Sequence, residues 1–232
     1  MEEILRAGLP ELGLSADEAA IAKLRRYAAL LEEANRVMNL TAIRGEEEIA
    51  RLHCLDCAAV PGHIPLAGKR LLDVGSGAGF PGMVLKILEP AAEVTLLDSL
   101  QKRVSFQRRT AETLGLEGIE CLSGRAEEMP ELRERFDVVT SRAVARLHVL
   151  CELCRPMVRP GGVFAAMKGP EPEEELREAA GAVRKLGGGE PRIERYTVPG
   201  TDAVHTLVIV PKEKPTPRGY PRRFAAIKKQ PL

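Results

Sequence analysis

The chain predicts an α/β fold, a mostly parallel sheet flanked by helices and closed by an antiparallel hairpin. Three observations predict it. From residue 70 onward, short apolar runs of strand length alternate with amphipathic stretches of helical period. A glycine-rich turn, Asp73-Val74-Gly75-Ser76-Gly77-Ala78-Gly79-Phe80-Pro81-Gly82, joins the first run to the first of those helices. The last two runs are separated by only a short connection, which makes them a hairpin.

The elements follow in order. Residues 1–60 read as helix. Ser15-Ala16-Asp17-Glu18 has the form of a capping box, Ser15 at the N-cap and Glu18 three residues on. Apolar residues then recur at Ile21, Leu24, Ala28, Leu31 and Ala34, and residues 35–41 break the period. Glu46 opens another helix, ended by Pro61-Gly62 and Pro65. Residues 70–74 form a short buried strand. Residues 81–88 are helical, with Pro81 in the first turn, where its missing N–H costs nothing. Strands over 93–98, 118–122, 136–140 and 162–167 follow, with helices over 102–114 and 147–154 between them. An acid-led helix over 173–186 ends at Gly187-Gly188-Gly189, and strands over 192–198 and 204–210 finish the sheet.

Composition narrows the function. No apolar run reaches the ~18 residues of a membrane helix, and the N-terminus lacks the basic-then-apolar order of a secretory signal. A cytoplasmic protein is expected. With no Trp and 3% aromatic residues, a base-stacking RNA sheet is disfavoured. The 34 basic and 33 acidic side chains nearly cancel, but residues 212–232 carry seven basic side chains against Glu213 alone. Such a tail either meets phosphates or is a solvated terminus.

Five cysteines include two pairs at CxxC spacing, Cys54/Cys57 and Cys151/Cys154. Both pairs fall in helical patterns, where the thiols share one face and pack as small hydrophobes, so no metal is expected. The four histidines show no metal-binding spacing such as HExxH.

The glycine-rich turn follows a strand and opens a helix, where a parallel sheet binds ligands. Asp98 ends the next strand, and a carboxylate there accepts hydrogen bonds from ribose hydroxyls. A dinucleotide site wants its third glycine at position 80, where this chain has Phe80. D-x-G-x-G-x-G from Asp73, with Asp98 following, fits S-adenosylmethionine (SAM) instead. The loop Ser123-Gly124-Arg125-Ala126-Glu127-Glu128 after the third strand lies beside the adenine in such a site.

The segment after the fourth strand, Ser141-Arg142-Ala143-Val144-Ala145-Arg146, faces the transferring methyl in such folds. It lacks the [DN]PPY sequence that holds exocyclic amines, and no general base or thiolate stands nearby. Guanine N7 needs neither, because it has an in-plane lone pair and no proton to lose. Arg142 can contact guanine O6, a phosphate or the cofactor carboxylate.

These residues carry a family resemblance across nearly the whole chain. Its marks are Met38-Asn39-Leu40-Thr41, His53-x-Leu55-Asp56, the glycine-rich turn, Leu97-Asp98-Ser99-Leu100-Gln101-Lys102-Arg103 and Arg125-Ala126-Glu127. They continue with Ser141-Arg142-Ala143, Lys168-Gly169, Tyr220-Pro221-Arg222-Arg223 and Lys229-Gln230-Pro231-Leu232. In these, the chain resembles the bacterial small-subunit (16S) rRNA guanine-N7 methyltransferases, the glucose-inhibited division protein B family.

The resemblance implies a Rossmann-like class I SAM-dependent methyltransferase with a seven-stranded sheet. It implies a helical extension (1–65), a SAM-binding domain (66–211) and a basic tail (212–232). Methyl transfer would go to N7 of one guanine in 16S rRNA or the small ribosomal subunit, by a monomer. Asp73, Gly75, Ser76, Gly77, Gly79, Phe80, Asp98, Ala126, Glu127 and Arg142 would surround SAM, with Arg142 catalytic. Asn39, His53, Arg103, Arg125, Lys168, Arg222 and Arg223 would line the RNA face. The chain departs from the family at Cys54 and Cys57, which flank Leu55-Asp56, and at Phe224-Ala225-Ala226-Ile227, which replaces a more Pro/Gly-rich stretch.

Overall fold

Burial dictates where the strands go. In β1 (Arg70–Val74) every residue after Arg70 is buried, so the strand belongs in the middle of a parallel sheet covered on both faces. The computed structural model, which describes residues 1–15 and 17–232, places it there. The other strands are β2 (Glu93–Asp98), β3 (Ile119–Ser123), β4 (Phe136–Arg142), β5 (Val158–Lys168), β6 (Arg192–Thr197) and β7 (Val204–Pro211). They form one seven-stranded sheet in the order β3-β2-β1-β4-β5-β7-β6. β7 runs antiparallel to both β5 and β6, and the remaining pairings are parallel.

The sheet divides the core in two. On one side Leu71, Leu96, Val84 and Val104 pack with Leu24, Leu31 and Leu55, so the N-terminal helices share a core with α5 (Gly82–Leu88) and α6 (Gln101–Thr113). On the other side Leu72, Val139 and Phe164 pack with residues of α7 (Leu147–Cys154) and α8 (Glu173–Lys185) and with Ile227. No helix among the described residues is long and apolar enough to cross a membrane.

The N-terminal segment begins with α1 (Glu2–Glu11) and α2 (Glu18–Met38). Two expectations change here. Asp17, not Ser15, caps α2, its carboxylate accepting from the Ala20 amide at 2.7 Å; Ala16, inside the expected box, lies outside the described residues. And α2 runs through Asn35 to Met38. Asn35 is a poor helix former by propensity, but its buried side chain bonds both backbone groups of Thr41, at 2.8 and 3.0 Å. That folds the following turn back onto the helix, and Asn39 takes the left-handed conformation at the C-cap.

The next helix starts as α3 (Glu46–Glu48), passes into a π-helical stretch (Ile49–Leu55) and continues as α4 (Asp56–His63), with Pro61 in its last turn. All five cysteines are free and buried, as the small-hydrophobe reading requires. Burial pushes the thiols of Cys54 and Cys151 up to about 12 and that of Cys121 to about 11.

The tail corrects the picture of a free basic arm. Lys212 is buried, its ammonium donating to Arg155 O at 3.0 Å. Arg133 donates to the carbonyls of Thr216 and Tyr220. Residues 224–229 form α9 (Phe224–Lys229), which sinks Ile227 into the core.

Candidate cofactor site and its buried support

The strand order reverses between β1 and β4, each running away from the other's connection, and this opens a crevice beyond their carboxyl ends. The turn after β1 enters it. The amides of Gly75 and Ser76 donate to Leu97 O at 2.8 and 3.1 Å, which ties the turn to β2. Gly75 has φ +73°, and a Cβ there would stand 2.5 Å from Val144 Cγ2 in the segment after β4. Gly82 opens α5 so close to the sheet that a Cβ would meet Leu96 Cδ2 at 2.3 Å.

That contact brings the Gly82 amide to Asp73 Oδ2 at 2.8 Å. The other oxygen, Oδ1, is buried without a partner. Burial lifts the Asp73 carboxyl to about 7, against the pull of the Gly82 amide and the Arg142 charge. Asp98 accepts from Gly77 N on one oxygen and Leu100 N on the other, both at 2.9 Å. Ser76 Oγ accepts from Gln107 Nε2 at 2.8 Å, and the same amide bonds Gly77 O at 2.7 Å. The loop is thereby pre-shaped.

A cleft of about 310 Å³ opens over this turn, lined by Gly75, Asp98, Arg103, Arg125, Ala126, Glu127, Val144 and Phe224 among others. Ala126–Glu128 is a 3₁₀ turn. Glu127 Oε1 is buried without a hydrogen bond, 3.8 Å from Arg125. Two orphaned carboxylate oxygens, at Asp73 and Glu127, and a backbone cradle that a side chain would fill fit a nucleoside cofactor with a cationic end.

Beside the cleft, the other expected residues form a buried cluster. His53 stacks on Phe80, ring centroids 4.1 Å apart and planes 12° from parallel. The Arg142 guanidinium lies 5.2 Å from the Phe80 centroid. It donates to His53 Nδ1 at 2.6 Å, to Asp56 Oδ2 at 3.0 Å and to Leu52 O at 3.1 Å. With Nδ1 accepting, the neutral His53 ring carries its proton on Nε2, facing Thr41 Oγ1 at 2.9 Å. Burial, and then the Arg142 charge, push His53 down to about 3. Tyr27 closes the cluster, donating to Ala78 O at 2.8 Å.

Asp56 is the hub that sequence reasoning passed over. It also accepts from Tyr196 Oη at 2.8 Å and meets His205 Nδ1 at 2.7 Å. Burial alone would raise its carboxyl, but the His205 bond and the Arg142 charge outweigh it and hold the carboxyl low. Asp56 stood in view inside the His53-x-Leu55-Asp56 motif. Tyr196 and His205 arrive from the terminal hairpin with no local signal.

The expected RNA-face residues separate. Arg103 and Arg125 sit at the cleft rim with half-exposed side chains, and Asn39 and Arg223 are exposed. Lys168 is spent inside, donating to Ala145 O at 2.8 Å and Glu175 at 2.7 Å, which pins the segment after β4. Arg222 is likewise committed, its fork closing on the buried Glu152 at 2.7 and 2.6 Å.

The sheet order, the glycine turn at its reversal point and the acid at the tip of β2 define the Rossmann-like fold of SAM-dependent methyltransferases. The particular family follows from the comparisons. The chain belongs to the GidB family, rRNA small subunit methyltransferase G, whose sequence pattern matches residues 20–197. It is 44% identical over 240 residues to the ribosomal RNA small subunit methyltransferase G of Symbiobacterium thermophilum, covering 99% of this chain and 97% of that one. The protein of the same name from Clostridium botulinum is 42% identical over 233 residues, with 99% and 98% covered. Among solved structures, a SAM-dependent methyltransferase from Aquifex aeolicus shares the fold, with a TM-score of 0.51 at 22% identity, covering 69% of this chain and 92% of that one.

Proposed function

We propose that this chain transfers the SAM methyl group to N7 of a guanine in 16S rRNA. One observation carries the choice of atom. Among the described residues around the cleft, no thiolate stands ready to attack, and the carboxylate oxygens left unbonded, on Asp73 and Glu127, belong to the strand before the glycine turn and to the loop after β3 rather than to the segment after β4. His53 is held neutral with both ring nitrogens engaged, Asp98 is occupied by backbone amides, and the cysteines are buried and protonated. An acceptor with an in-plane lone pair needs no such group, and catalysis reduces to alignment and electrostatics.

When bound, SAM supplies an electrophilic methyl on a sulfonium that leaves as a neutral thioether. The chain's part is to hold and orient. Gly75, Ser76, Gly77 and Gly79 shape the turn on which the cofactor lies. Asp98 offers its remaining lone pairs to ribose hydroxyls, Ala126 and Glu127 flank the adenine, and the free oxygen of Asp73 favours a nearby positive charge. Arg142 acts as a positioning residue: it fixes Phe80 and His53 behind the turn and joins the sheet to the extension of residues 1–65. Lys168 does the same for the segment after β4. Arg103 and Arg125 at the rim, with the exposed Asn39 and Arg223, take the role of meeting RNA, mostly through phosphates. The reading needs no metal and describes a cytoplasmic monomer.

The test incubates the protein with radiolabelled SAM and small ribosomal subunits that lack this methylation, then digests the RNA to nucleosides. Label in 7-methylguanosine is the expected result. Label in another nucleoside, or none while SAM still binds, overturns the assignment.

A further inference from the structure

We propose that Phe224 is part of the cofactor site, an aromatic wall at the nucleoside end of the cleft, carried there by the docked tail. This rests on the cofactor reading of the cleft. The ring lines the same cavity as Asp98, Arg125 and Ala126. It is one of the few large apolar side chains left exposed, at 36%. The Arg125 guanidinium stands 5.5 Å from its centroid, so the ring adjoins the loop that flanks the adenine.

The position of the ring is held from both sides. Two residues before it, Arg222 donates to Glu152 from Nε, Nη2 and its backbone amide, and Glu152 is fully buried. Arg222 Nη2 also bonds Gln230 O at 3.0 Å, closing the short helix on itself. Three residues after it, Ile227 is fully buried in the core. An aromatic face fixed beside a half-open cleft gains by covering a planar base, and stacking of this kind does not depend on hydrogen-bond pattern. The tail therefore contributes to cofactor affinity through Phe224, while Arg222 anchors it.

Calorimetric titration of the full chain tests this with two ligands, SAM and methylthioadenosine, which keeps the nucleoside and lacks the amino-acid end. Phe224→Ala is expected to weaken both by the same factor, about five- to tenfold. Phe224→Tyr, which keeps the ring, is expected to restore binding to within about twofold of the parent. Asp98→Ala serves as the reference for the cleft itself. If Asp98→Ala weakens both ligands and Phe224→Ala weakens neither, the role of Phe224 is overturned and the cleft stands. If neither variant changes binding, the cofactor reading of the cleft falls and the Phe224 role with it. A loss for SAM alone also overturns the proposal, because it places the ring at the wrong end.

Discussion

Arg142 Nη2 donates to His53 Nδ1 across 2.6 Å, tying the end of β4 to a π-helical turn 89 residues earlier in the chain. Two side chains that are often both cationic can lie this close only if one gives up its charge. The arginine keeps its proton, because its intrinsic pKa is far higher. The histidine stays neutral and becomes an acceptor, and a residue type that elsewhere serves as a base becomes a fixed part of the scaffold.

The ring protons of the histidines report this directly by NMR. From pH 8 to pH 5 the His53 signals should not move, because its pKa sits at about 3. His205 should titrate above the ordinary histidine value, raised by its bond to Asp56. Its contribution to stability is full below about pH 6.5 and is lost as pH rises through the folded value. A His53 midpoint near pH 6.5 would contradict the pairing with Arg142.

Asp56→Ala removes the acceptor shared by Arg142, Tyr196 and His205. It leaves a largely buried guanidinium without its counter-charge, at a cost of about 3–5 kcal/mol. Differential scanning calorimetry should show a fall in Tm of about 10 °C. The wild-type advantage should be greatest above about pH 4 and shrink in acid, because the folded carboxyl has the lower pKa. A loss of under about 1 kcal/mol would mean that Asp56 is not the hub.

Asp73 has the opposite sign. Its folded pKa of about 7 lies above that of an unfolded carboxyl, so the folded state holds the proton more tightly and stability falls as pH rises from about 4 to 7. Asp73→Asn keeps an acceptor for the Gly82 amide and removes that penalty. At pH 8 the cofactor-free variant should be more stable than wild type by about 1–3 kcal/mol in urea unfolding, and the two should converge near pH 4. SAM affinity should nonetheless drop in the variant. Equal stability at both pH values would refute the shift.

The pair that docks the tail is asymmetric. Glu152 is fully buried, whereas Arg222 is one-quarter exposed. Arg222→Ala strands a buried carboxylate and should cost about 3–5 kcal/mol, while Glu152→Gln, which keeps an acceptor, should cost about 1–2 kcal/mol. Limited proteolysis should cut near residue 220 much faster in Arg222→Ala. Equal protection in both variants would show that the pair does not hold the tail.

The sequence by itself determined what is decided over short stretches. The apolar run at 70–74, the glycines that follow and Asp98 at the tip of the next run are neighbours through β1–β2 pairing. Periodicity and turn chemistry therefore located the sheet, the glycine turn and the acid beside it together. The hairpin was legible for the same reason. Only the tertiary structure decided which charges are spent. Lys168, Arg222 and Lys212 read as a basic surface along the chain, yet each is turned inward by a partner that local pattern does not reveal. Asp56 gathers Arg142, Tyr196 and His205 from 86 to 149 residues away. The physical reason is common to all of them. A buried polar group must be paired, and the pairing is settled by the packing of the whole sheet and its helices rather than by neighbours in sequence.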